Sequence, residues 1–126
     1  MYPDVESLLV AYLSGRTGYR VVTELPEDVD QHLPIIRVNR VSGTSVNYKC
    51  DHPIVDVDVF AADRPTAHDL SEEMRSMLYL DLPTVDCVQP SGVVAGVTVL
   101  NGPRWLPDKN THVRRYQASY QLVTHA

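Results

Sequence analysis

Two aspartates, Asp56 and Asp58, stand inside HPIVDVDVF, residues 52 to 60, a run otherwise built of branched and aromatic side chains. Carboxylates serve as general acids and bases and as ligands for hard cations, so this is where chemistry would be sought first. On a strand, carboxylates two residues apart stand about 6.5 Å from each other, too far to share one proton. A catalytic or metal centre would therefore need further ligands. Asp51, His52, Asp63, His68 and Asp69 are near in the chain, yet none falls in an HExxH or EF-hand spacing. The five histidines, His32, His52, His68, His112 and His125, are scattered, and Cys50 and Cys87 have no CxxC or CxxH around them. No GxSxG, GxGxxG or P-loop occurs, and no serine or cysteine has a visible base partner. The residues thus imply no catalytic group, no metal and no cofactor. The simpler reading of Asp56 and Asp58 is the wet side of a strand.

The elements that would position them follow from periodicity. Val5, Leu8, Leu9, Tyr12 and Leu13 recur at helical spacing behind Pro3 and Asp4, with Gly15 as the expected stop. A second helix is expected from about Thr66 to Leu80, with Ala67, Leu70, Met74, Met77 and Leu78 on one face and Thr66-x-x-Asp69 as its capping box. Elsewhere the period is two, predicting strands at 20–22, 35–41, 53–60, 93–100 and 113–124. SGTSVNYKCD and NGPRWLPDKNTH read as long hairpin loops between them. The order α-β-β-β-α-β-β predicts a single α+β domain over 1–126, a mainly antiparallel sheet with two helices packed on one face.

In that sheet Val55, Val57 and Val59 turn to the helices, and Ile54, Asp56, Asp58 and Phe60 turn away. Arg37 and Asn39 share a face of the preceding strand. On the last strand Arg115, Gln117, Ser119 and Gln121 oppose Tyr116, Ala118, Tyr120 and Leu122. Three strands thus each have one polar side, and Arg37 is placed to pair with Asp56 or Asp58.

Composition sets the outer bounds. At 126 residues and 44% hydrophobic content the chain suits one soluble domain with its own core, and no window approaches a membrane span. The opening MYPDVE is acidic without a basic flank, which is neither a secretory nor a transit signal and points to the cytoplasm. A formal charge of −5 argues against a chain whose task is gripping phosphates. The basic residues Arg104, Lys109, Arg114 and Arg115 gather in one segment without the aromatic and glycine pattern of a nucleic-acid module, so a solvated or interface face is the better reading.

Taken in order, DVESLLVAYLSG, LPIIRVNRVSGT, VDVDVFAAD running into RPTAHDLSEEMRSML, and GPRWLPDKNTHVRRYQASYQLVTH give the chain a further character. It resembles the tail terminator proteins, also called tail completion or minor tail proteins, of long-tailed siphovirus-type bacteriophages. The resemblance implies a structural virion protein, not an enzyme. It implies a homo-oligomeric ring, typically a hexamer, at the head-proximal end of the tail tube, assembled in the bacterial host cytoplasm, without a membrane. Such a ring stops tube polymerisation and offers a joining surface to the head. Its partners would be other copies of itself, the tail tube protein and the head-tail connector protein, with DNA passing through the channel without specific binding.

On that reading the exposed loops supply subunit, tail or connector contacts: Tyr48, Lys49 and Cys50 in one, Arg104, Trp105 and Leu106 in the other, with Arg114 and Arg115 beside them. Trp105 has a competing role as a satellite core residue over the sheet edge, and Arg114 and Arg115 as partners of nearby acids within the subunit. Asp56 and Asp58 would lie on a channel-facing or subunit-contact side. Three other readings stay open: another neck, connector or head completion protein, an Asp-centred metal-dependent enzyme, and a small monomeric or dimeric adaptor.

Overall fold

The computed structural model describes residues 4–45, 50–84, 93–110 and 112–125. Helix α1, Val5–Thr17, starts because the Asp4 carboxylate accepts the backbone N–H groups of Glu6 at 3.1 Å and Ser7 at 3.3 Å. It runs through the expected stop at Gly15 and ends at Gly18, whose φ of 74° is left-handed and whose N–H reaches the Ser14 carbonyl. A helical glycine costs only about 1 kcal/mol, which burial of Tyr12 and Leu13 around it outweighs. A residue in the left-handed region ends the helix outright.

Helix α2, Arg64–Ser76, is capped by Asp63, whose carboxylate accepts the Thr66 N–H at 2.8 Å, with Pro65 in the first turn. Thr66 is therefore the donor in this cap and not, as the sequence spacing suggested, the capping residue. The Thr66 N–H holds the Asp63 carboxyl below its usual range. The cap's contribution is present at neutral pH and is lost as pH falls through that lowered value. Past Ser76 the chain widens into a π-helical turn, Met77–Asp81, then tightens to a 3-10 turn, Leu82–Thr84. Met77, Leu78 and Leu82 stay buried, and the Tyr12 hydroxyl donates to the Met77 carbonyl at 3.4 Å, joining the two helices.

Among the described residues five strands form one sheet: β1 (Arg20–Val22), β2 (Ile35–Ser45), β3 (Cys50–Ala61), β4 (Val93–Leu106) and β5 (Arg114–His125), in the order β1-β2-β3-β5-β4. All neighbours are antiparallel except β1 and β2, which run parallel and are joined by the segment 23–34 with a 3-10 turn at Val29–Gln31. The α+β expectation holds, but two of the expected loops are shorter. The strands continue to Ser45 and resume at Cys50, and β4 continues to Leu106.

Alternation along the strands divides the sheet cleanly. Ile36, Val38, Val55, Val57, Val59, Ala118, Tyr120 and Leu122 meet Leu8, Leu9, Leu13, Leu70 and Met74 in the main core between sheet and helices. A smaller cluster of Val29, Ile35, Phe60 and Val113 lies on the opposite face, where the 23–34 segment folds over the sheet. Arg40 and Asp51 close the core at its open end. Two bonds of 2.7 and 3.2 Å join the Arg40 guanidinium to Asp51, and the Arg40 N–H donates to Glu6 of α1 at 2.9 Å.

Two positions give direct tests of this packing. Gly43 has φ of 131°, and a β-carbon there would stand 2.5 Å from the His52 carbonyl oxygen and 2.6 Å from the Pro53 α-carbon. Gly43→Ala is expected to cost at least about 2 kcal/mol in urea unfolding, since neither backbone can yield cheaply. Tyr120 is fully buried, its hydroxyl has no hydrogen-bond partner among the described residues, and burial pushes it well above the usual phenol range. Removing the orphaned hydroxyl in Tyr120→Phe is expected to leave the urea midpoint unchanged or raise stability by up to about 1 kcal/mol.

Candidate functional site

The polar face of the sheet is built around β3. Register places Arg37, Asp58, Gln117 and Arg104 on one row and Asn39, Asp56, Ser119 and Asn101 on another. Asp58 is 2% exposed. Its Oδ2 accepts from Arg37 Nε at 3.0 Å and Nη2 at 2.6 Å, and its Oδ1 accepts from Arg115 Nη2 at 3.4 Å. Both guanidiniums also lie against the Phe60 ring, at 5.4 and 5.8 Å from its centroid. Asp56, closer to solvent, accepts the Ser119 hydroxyl at 2.6 Å. The face is therefore not a bare acidic surface. Its buried carboxylate is neutralised from two sides, which is also why it can be buried.

The two aspartates share a face, and each is held by its own partners, Asp58 by Arg37 and Arg115 and Asp56 by Ser119. Among the described residues no three histidine, cysteine or acidic side chains come together as a metal site. His32 instead links Asp28, at 3.2 Å, to Arg20, at 3.0 Å, and His68 stands edge-on to the Tyr116 ring.

The second group of expected contact residues sits on the β4 edge. Arg104, Trp105 and Leu106 belong to the strand and not to a loop, because β4 stays paired with β5 as far as Leu106↔Arg115. Trp105 faces the helix side opposite Tyr116 and remains 41% exposed. The Arg64 guanidinium covers its ring at 4.8 Å while Arg64 Nε donates to the Tyr116 hydroxyl at 3.3 Å. One side of Trp105 is thus pinned to the fold, and the rest of the ring stays exposed. Arg64, from the first turn of α2, was missed by sequence reasoning, since only three-dimensional pairing brings it beside residue 105. A shallow cleft of about 260 Å³ continues from Trp105 to Pro107, Asn110 and Val113.

Arg115 is engaged within the subunit by Asp58, whereas Arg114 is exposed and donates to the Val113 carbonyl at 3.4 Å. Cys50 begins β3, and Tyr48, Lys49 and Cys87 lie outside the described residues.

In a comparison with known families, the profile described as phage tail termination protein matches residues 1–126. The chain belongs to that family. It is a structural component of the virion tail. Among solved structures, a chain of "Virion of native gene transfer agent (GTA) particle" shares the fold with a TM-score of 0.62. It is 15% identical, and the match covers 92% of this chain and 86% of that one. Comparison with curated proteins finds no match.

Asp58→Asn leaves two partly exposed guanidiniums facing a neutral amide and is expected to cost about 3 kcal/mol, measured by urea unfolding at neutral pH. Trp105 is the protein's one tryptophan. Arg64→Ala should make its fluorescence more readily quenched by acrylamide while the far-ultraviolet circular dichroism is unchanged.

Proposed function

We propose that this tail protein is the terminator itself: copies close into a ring, six being the number we favour, on the head-proximal end of the tail tube. The ring stops tube growth and presents the surface to which the head's connector docks. The observation that carries this reading is the tail termination family match over the whole chain. It is supported by the fold shared with a chain of a gene transfer agent virion particle.

The division of the sheet supports an orientation. The helices cover one face, and the other carries Asp56, Asn39, Gln117, Ser119 and Gln121 with Asp58 held beneath arginines. We assign this polar, internally neutralised face to the channel. Uncharged amides and hydroxyls beside compensated charges offer DNA little to grip, which suits a duct through which it must slide. The chain's acidic balance adds a repulsive background. Arg104, Trp105, Leu106 and Arg114 on the β4 side, with Tyr48 and Lys49 in the β2–β3 connection, are the residues we assign to contacts with neighbouring copies, the tube protein or the connector. No chemistry is assigned to any residue.

The test is tail length. Cells producing the phage without this protein should accumulate tubes of irregular, excessive length and heads without tails, and adding the purified chain should cap growing tubes. Tails of normal length joined to filled heads in its absence would refute the capping role.

A further inference from the structure

We infer that neighbouring copies meet edge to edge, the acidic β1–β2 connection of one copy against the basic β4 edge of the next. This rests on the ring reading above and names its contact. Charge is unevenly divided between the two sides of the sheet, with Arg20 the base nearest the acids. Residues 24–30 hold four acids, Glu24, Glu27, Asp28 and Asp30, and no lysine or arginine occurs between 21 and 36. Residues 104–115 hold four bases, Arg104, Lys109, Arg114 and Arg115, the last paired with Asp58, against the single acid Asp108. Glu24, Glu27, Arg104 and Lys109 are all exposed.

Register sets the strand ends that carry these patches at matching heights on opposite sides. A single row crosses the sheet from Arg20 through Ile35, Phe60 and Arg115 to Leu106, and the next but one runs from Val22 through Arg37, Asp58 and Gln117 to Arg104. His32 ties Asp28 to Arg20 on the first of these rows. Four strand spacings separate the two edges, roughly 19 Å. That exceeds the ~8 Å screening length at physiological salt, so Glu24 and Arg104 satisfy each other poorly within one copy. Cyclic closure involves rotation without translation along the axis, so for an axis running with the strands, patches at equal height are the ones that meet.

Apolar surface accompanies the charge. Beside β1 an open groove of about 520 Å³ is lined by Val10, Ala11, Val21 and Val22, with Glu24 on its rim. At the other edge Leu100 and Trp105 are 42% and 41% exposed, next to Arg104. Apolar groups framed by opposite charges are the usual anatomy of a specific contact. Strand-to-strand pairing is not the adhesive here. β1 has three residues, and β4 carries Pro103 and register breaks between Val94 and Gly96, Val99 and Asn101, and Asn101 and Arg104.

The experiment uses charge reversal on the full chain. One variant carries Arg104→Glu and Lys109→Glu, the other Glu24→Lys and Glu27→Lys, all at exposed positions, with thermal unfolding to verify folding. Light scattering over a wide concentration range reads assembly. Each variant alone should self-associate at least roughly tenfold more weakly than the wild type. An equimolar mixture should recover assembly, because alternating copies restore every opposite-charge contact. Variants that assemble like the wild type, or a mixture that stays monomeric, would overturn the inference and leave the terminator reading intact. A wild-type chain that remains monomeric at every concentration would overturn self-association by this contact in solution. The terminator reading is judged separately, by tail length in cells.

Discussion

A carboxylate held out of water at the centre of the sheet is the constraint on which the uncovered face depends. Asp58 sits on β3, the middle strand, on the side without helices, yet it is as buried as a core residue. It can be so because Arg37 from one neighbouring strand and Arg115 from the other reach over it, and both lie on Phe60. The arrangement binds β2, β3 and β5 across their side chains on the face away from the helices. Phe60 in turn joins Ile35, Val29 and Val113, the small apolar cluster that holds the 23–34 segment against the sheet. Salt bridge, ring and cluster make one continuous unit. A sheet that would otherwise rely on water for its second face is stiffened there by charge pairing.

The sheet margins are managed differently. β1 is kept very short, and β4 is long but interrupted by bulges and a proline, so neither presents an unbroken ladder to a stray strand. What the margins display instead is side chains: an apolar groove on one side, and a tryptophan pinned by Arg64 on the other. A fixed aromatic at a margin loses little entropy on contact, which favours specific association over adventitious aggregation.

Much of this was legible in the sequence wherever a residue's role is set by its own strand or helix. The alternation of 53–60 identified the faces, and the pairing of Arg37 with an aspartate of β3 followed from adjacency. The helical faces of Val5 to Leu13 and Ala67 to Leu78 were equally plain. What escaped were features decided by backbone angle or by partners remote in the chain. Gly15 and Gly18 look alike in sequence, and only the left-handed φ of Gly18 marks the end of α1. Asp63 and Thr66 are both good capping residues, and the choice rests on which one adopts the extended backbone. The strand continuing through Gly102 and Pro103 to Leu106 depends on pairing with β5. Arg64 over Trp105 and Arg115 over Asp58 bridge residues 41 and 57 positions apart, which no local pattern encodes.

The strand order has a consequence for how the chain comes into being. β5 follows every other element in sequence, yet it is inserted between β3 and β4 and carries Ala118, Tyr120 and Leu122 into the main core. The apolar faces of α1 and β3 therefore leave the ribosome long before the strand that completes their shelter. Until residues 116–122 have been made, the sheet lacks the bond between its two halves, and the nascent chain must wait with its core open. Only with residues 116–122 does β4 join the rest of the sheet, so the second lateral margin reaches its place last.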